Sequence, residues 1–303
     1  MTSSLKFGQW IAFGCMVAVV AGCGSTREGA WETSSETVVL DESAKAQEAQ
    51  LVAEAKAAWL KRGDEAQSLA AVEKWKQAVA INPKNAEAWT DLSHALFFYA
   101  DCHLRFDESR ADLHKATHEE GTRAAERALV AMSPAFAQRM NNGELIEEAI
   151  EVLDASAVPA LYWRSSNLGR WATLESFATL LSYKDEVRAI MEFCLDNDPS
   201  YWYQGPDRYF GIFYAKAPGF SGGDMTKSME HFQASIAVHP NYLGTHTFIA
   251  EEWAIKEADR ALFDQELSYV LNTDPNVIPA ISAENACEQR KAKILMADAD
   301  DLF

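Results

Sequence analysis

The chain has 303 residues, 48% of them apolar, and a formal net charge of −18. So acidic a body repels phosphate backbones, which excludes nucleic acid as a partner, and so apolar a chain cannot be a disordered polymer. Its length allows one elongated or two compact domains with a full core.

Residues 1–22 read as a processing signal. Lys6 is their only charge, and an apolar run of 12 residues from Trp10 to Ala21 follows it, too short for the roughly 20 residues that span a bilayer. Val20-Ala21-Gly22-Cys23 ends the run with small residues before a cysteine and resembles the lipobox of bacterial lipoproteins, which makes Cys23 the expected lipidated N-terminus; an ordinary secretory signal is the other reading. Gly24 is not the aspartate that retains enteric lipoproteins at the inner membrane, so the periplasmic side of the outer membrane is the expected address. Removing residues 1–22 takes the net charge from −18 to −19, because only Lys6 is lost. Residues 23–43, rich in Ser, Thr, Glu and Gly, read as a flexible tether, and residues 44–303 as one helical domain.

Cys102, Cys194 and Cys287 remain beyond the signal. An odd, widely spaced set is no disulfide framework, and their apolar neighbours predict buried core thiols; the sequence does not say whether one pair bridges.

From Ala44 onward the periodicity is helical, and the expected fold is all-α. Five helix endings recur before Pro83, Pro134, Pro199, Pro240 and Pro275, where proline stops a helix for want of an amide proton. Ala71, Trp75, Ala78 and Pro83 have the spacing of a tetratricopeptide unit, as do Ser228, Phe232, Ser235 and Pro240. Asn85 reads as the N-cap of the following helix, which carries Trp89 and Leu92 at its bulky positions. The proline spacings of 51, 65, 41 and 35 depart from a fixed period, so the array of antiparallel helix pairs is tetratricopeptide-like but irregular. His103, His114 and His118 fall in an insertion. The last two share a helix face, yet with charged neighbours and no third ligand they read as solvated histidines, and no metal or cofactor is expected.

Further on, Trp163, Asn167 and Trp171 form one helical stripe beside Tyr162. Core packing explains the rings, whereas an amide among them needs partners and is also how a pocket looks. The stretch 202–211 reads as an aromatic, glycine-rich loop, with Arg208 among Tyr201, Trp202, Tyr203, Tyr209 and Phe210. An arginine there pairs with a carboxylate, stacks on a ring or meets something from outside. Asp224 is the expected N-cap of the helix that follows.

Gly219-Phe220-Ser221-Gly222-Gly223 satisfies Gly-x-Ser-x-Gly, but a nucleophile elbow needs a strand before the serine, and none is predicted. No phosphate loop, His-Glu-x-x-His or Cys-x-x-Cys is present. The expectation is a protein that is not an enzyme.

Ala160-Leu161-Tyr162-Trp163, Gly205-Pro206-Asp207-Arg208, Gly222-Gly223-Asp224, Phe232 through Pro240 and Asn285 together resemble the T component of tripartite ATP-independent periplasmic (TRAP) transporters, over residues 47–295. Where that family often has two glycines after the tyrosine, this chain has Gln204-Gly205. The resemblance implies a lipid-anchored helical accessory that engages the periplasmic solute-binding component, forms a homo-oligomer of trimeric type and offers clefts to a hydrophobic ligand. Tyr162, Trp163, Asn167, Trp171, Trp202, Tyr203, Arg208, Tyr209 and Asn285 are then the candidate ligand or partner residues. The alternative is an outer-membrane scaffold lipoprotein for envelope assembly, without a ligand.

Overall fold

Proline and its polar neighbours set the helix boundaries of the computed structural model, which describes residues 27–32 and 39–303; Cys23 and the signal lie outside them. The helices are α1 (Glu42–Trp59), α2 (Glu65–Ile81), α3 (Ala86–Cys102), α4 (Ala111–Met132), α5 (Pro134–Asn141), α6 (Ile146–Ala149), α7 (Val158–Glu175) and α8 (Phe177–Ser182). They continue with α9 (Lys184–Asn197), α10 (Tyr201–Lys216), α11 (Met225–Val238), α12 (Leu243–Phe248), α13 (Arg260–Asn272), α14 (Ser282–Ala297) and α15 (Ala299–Leu302), with a π-helical turn, Ile249–Ala254, extending α12. No strand occurs among the described residues, and the fold is all-α.

Each of the five punctuating prolines stands just past a helix end, and Pro134 also opens α5. Asp41, Asp64, Asn85, Asp224 and Asp259 accept backbone N–H groups at the N-termini of α1, α2, α3, α11 and α13, satisfying donors that a helix start leaves open. Ala71, Trp75 and Ala78 in α2 and Ser228, Phe232 and Ser235 in α11 are all buried. Small residues bring the neighbouring helix close and the ring fills the groove between them. Gly211 of α10 works the same way from the other side, since a Cβ there would run into the Phe232 ring.

Consecutive helices pack pairwise: α1 on α2, α2 on α3, α3 on α4, α10 on α11, α13 on α14. One core joins α1–α4 around Trp75 and Leu96, a second joins α4, α5, α7, α9 and α10, and a third joins α12–α15 around Phe263 and Leu267. The first and third are tied where α14 returns to α3. There Lys291 Nζ meets Asp101 at 2.5 Å, and Arg62 meets Glu284 at 2.6 Å and donates to the Ala280 carbonyl at 2.6 Å.

The same junction corrects the reading of three core thiols. Cys102 and Cys287 form a disulfide, and among the described residues Cys194 is the free, buried thiol. The sequence showed apolar neighbours for both cysteines, but not that residues 185 positions apart meet.

The tether is also corrected in part, because residues 27–32 lie against the body. Arg27 is bonded to the Glu126 carboxylate at 2.9 Å and Trp31 packs edge-on against Phe136 at 5.7 Å. The histidines of the insertion are not solvated. His118 is fully buried, His103 and His114 nearly so, and burial pushes the His118 imidazole down to about 3, so it is neutral.

The disulfide closes a loop of 185 residues, for which chain entropy gives a stabilisation of about 5 kcal/mol. Cys287→Ser should lower the urea midpoint accordingly, and reductant should bring the unmodified protein to the same midpoint. Equal midpoints for the oxidised protein and the variant would show that the link contributes nothing.

Candidate functional site

The segment read as an aromatic loop is helical, and it begins with an inversion of hand. Trp202, Tyr203 and Gln204 have φ of 47°, 57° and 60°, left-handed backbone that costs an L-residue roughly 1–2 kcal/mol each. Right-handed helix resumes at Gly205-Pro206, with proline at a helix start where its missing N–H is harmless. Gly205 is required by contact, as a Cβ there would lie 2.6 Å from the Tyr162 ring. Gln204 stands where the family often has glycine, the residue that takes positive φ without cost.

Arg208 holds this inversion. It is buried, donates to the carbonyls of Tyr203 and Trp202, the latter at 2.5 Å, and its guanidinium lies 3.7 Å from the centre of the Tyr242 ring. Of the fates the sequence left open, it takes ring stacking, together with backbone hydrogen bonds that were not foreseen. Trp202 donates to the Tyr242 hydroxyl at 3.2 Å and packs on Trp163 at 5.1 Å and on His94 at 4.4 Å. Trp163 in turn stacks on His94 at 3.8 Å and donates to the Tyr201 hydroxyl at 2.9 Å.

Beside this aromatic knot is a cavity of about 210 Å³ between α7, α8, α9 and α10. Tyr162, Trp163, Trp202, Arg208 and Tyr242 are part of its lining, and Thr173 and Phe177, which also line it, are exposed. Its polar wall includes Asp101, Ser165, Arg170, Lys216, Glu252 and Glu288. Burial opposes the charge of Asp101, but Lys291, Arg170 and Arg105 outweigh it and hold the carboxyl well below the usual range. Glu252 goes the other way: burial raises it in spite of Lys216 at 2.8 Å. Burial likewise raises the phenols of Tyr162, Tyr209 and Tyr242, so all three stay protonated donors. Ser165 Oγ and Glu288 Oε2 are buried and find no hydrogen-bond partner among the described residues.

Five of the nine candidate residues therefore share the cavity: Tyr162, Trp163, Trp202, Arg208 and Tyr209. Tyr203 turns away to stack on Tyr242 at 5.6 Å and against His239 at 5.2 Å. Asn167 is fully buried in the core, accepting from His118 Nδ1 at 3.1 Å and donating to the Ser93 and Trp163 carbonyls at 3.1 Å each. Its amide finds its partners there. Trp171 packs against Tyr183 at 5.8 Å. Asn285 accepts the Leu243 N–H at 3.1 Å and donates to the Asn241 and Pro275 carbonyls, splicing α14 to the start of α12. The sequence reading missed Phe97, Ser165, Arg170, Tyr242 and Glu288; Ser165 and Arg170 stand on the helix already singled out, and the others come from distant segments.

Asp101, Cys102 and Cys287 lie close together, but the cysteines are bonded to each other and Asp101 is engaged by cations. Ser221 sits in a short 3-10 turn, Gly219–Ser221, with no strand before it, so the elbow geometry is not met.

The structure is thus an all-helical body that sets an arginine and stacked rings along the wall of a cavity. The TRAP transporter T-component family matches residues 94–303, and the chain belongs to it. It is also similar to a protein of Treponema pallidum (strain Nichols) described as uncharacterized, with 27% identity over 192 residues covering 60% of this chain. The chain spans 58% of that relative's length.

Arg208 has two hydrogen bonds from a charged donor, each worth roughly 1.5–3 kcal/mol. Arg208→Ala should cost about 3 kcal/mol or more in urea unfolding, and Arg208→Lys, which cannot reach both carbonyls from one planar group, should recover less than half. A loss below about 1 kcal/mol for Arg208→Ala would show that the inversion is held by other contacts.

Proposed function

We propose that this protein is lipid-anchored through Cys23, faces the periplasm from the outer membrane, and serves a TRAP transporter by engaging its solute-binding component and holding the apolar part of a small ligand in the cavity. The observation that carries the ligand reading is the cavity itself: about 210 Å³, lined by Tyr162, Trp163, Trp202 and Tyr242 together with Arg208, Ser165 and Glu288. Pockets for small molecules combine an apolar wall with a few placed polar groups in this way. The Cys102–Cys287 bond supports the address, since disulfides persist in oxidising compartments. Among the described residues no helix is long and apolar enough to cross a membrane. The acyl chains of a diacylated cysteine exceed what a single chain gives, about 0.8 kcal/mol per buried CH₂.

Gly169 provides a clean probe. It lines the cavity, and a Cβ placed on it meets nothing within 4 Å. Gly169→Leu should fill the cavity at unchanged melting temperature. Native mass spectrometry of the detergent-solubilised protein mixed with envelope extract should show a small-molecule adduct and the solute-binding component, with the adduct lost in Gly169→Leu. An adduct of the same mass in both proteins would place the ligand elsewhere. The same spectra report whether the chain forms a trimer.

Cys23→Ala should abolish partitioning into the detergent phase and leave the signal uncleaved. Normal processing and partitioning of that variant would refute the anchor.

A further inference from the structure

The docked N-terminal strap fixes which face of the body can meet the membrane. Arg27 donates its backbone N–H to the Tyr183 hydroxyl at 2.9 Å and its guanidinium to Glu126, while the Ala30 N–H reaches the same carboxylate at 2.8 Å. Trp31 then packs on Phe136, with the Arg164 guanidinium 5.2 Å from the centre of its ring. Arg27 keeps only 4% of its side chain exposed, so residue 27 is a fixed point on the body. From Cys23 to Arg27 is four residues, a reach of at most about 14 Å at 3.6 Å per residue. A tether of some twenty residues would let the body tumble freely over the surface; this one does not.

Tyr183, the strap's partner, is itself part of the cavity wall. α8 and the turn after α10 both line that cavity, through Phe177, Leu180 and Leu181 and through Ala217 and Pro218. Phe177 is 60% exposed, Leu174, 42% exposed, stands three residues before it at the end of α7, and Phe220, 90% exposed, is two residues beyond the cavity-lining Pro218. Exposed apolar groups gathered beside a point of lipid attachment mark a membrane contact. The chain as a whole carries a net −18 and is repelled by an anionic lipid surface, so an apolar rim is the surface that such a body can lay against a bilayer.

We propose that the rim of Phe177 and Phe220 rests on the bilayer that holds the lipid of Cys23, so that the cavity opens toward the membrane and is filled from it. The inference rests on the anchoring given above. A ligand with an apolar body then passes from lipid to the aromatic end of the cavity without crossing bulk water, and the remaining faces of the array stay free for the solute-binding component.

The test uses the full, lipidated chain in vesicles of phosphatidylethanolamine and phosphatidylglycerol. Cys194 is buried and Cys102 and Cys287 are bonded, so a single introduced cysteine takes a nitroxide label cleanly. Phe177→Cys, Phe220→Cys and, as control, Leu60→Cys all change exposed side chains, Leu60 being 81% exposed, and should fold normally. The rim labels should collide with oxygen and be shielded from an aqueous nickel chelate, whereas the Leu60 label should be open to nickel. Arg27→Ala, which frees the strap while leaving the lipid, should return the rim labels to nickel. A lipidated chain whose rim labels are as open to nickel as Leu60 overturns the inference alone, as do rim labels shielded from nickel and oxygen alike, which a second protein surface would produce. A mass spectrum without the diacylglycerol on Cys23 overturns the anchoring, and this inference with it.

Discussion

Three consecutive left-handed residues are the constraint on which the site depends. Trp202, Tyr203 and Gln204 hold a conformation that costs several kcal/mol in sum, and such backbone persists only when its surroundings over-determine it. Here they do. Arg208 binds two carbonyls of the turn, and the ring of Tyr242 covers the guanidinium, ties the indole of Trp202 through its hydroxyl and stacks on Tyr203. The inversion swings Trp202 onto Trp163 and His94, so one turn joins α3, α7, α10 and the start of α12. The aromatic end of the cavity is the surface that this joint leaves.

The rest of the array is arranged to keep that joint from opening. A helical array with only neighbour contacts frays from its ends; this one returns α14 to α3. The Cys102–Cys287 bond, the Asp101–Lys291 pair and the Arg62–Glu284 pair all lie at that return. Buried ion pairs seldom stabilise beyond well-packed apolar residues, but breaking one leaves a charge without a partner. Their effect is to fix register. Asp101 also lines the cavity, so the residues that close the array set the charge of the cavity wall.

What the sequence revealed and what it hid divide along one physical line. Helix boundaries, the caps Asn85 and Asp224, and the buried trio Ser228, Phe232 and Ser235 follow from local rules of proline, side-chain capping and periodicity. So do the all-α class and, through motif resemblance, the family. Local rules misread 202–211 because glycine and proline are loop signals there, whereas Gly205 and Gly211 are glycines of close approach, each meeting a ring from another helix. Asn167 looked like a pocket residue because its partners, His118 and the Ser93 carbonyl, are 49 and 74 positions away. Tyr242 and Glu288 entered the cavity from segments with no local mark of it. The sequence showed which residue types were unusual; only the packing showed which of them face one another.

The docked strap has the same logic of compensation. Glu126 is fully buried, and burial opposes its charge, but Arg164 and Arg27 outweigh it and hold the carboxyl below its usual range. Arg164 also serves Glu186 at 2.6 Å, so two arginines face two carboxylates and the cluster is neutral only with Arg27 in place. Without the strap, one guanidinium would be shared between two acids in a low-dielectric interior, a cost of several kcal/mol. The strap is thus part of the fold rather than a linker that happens to touch it.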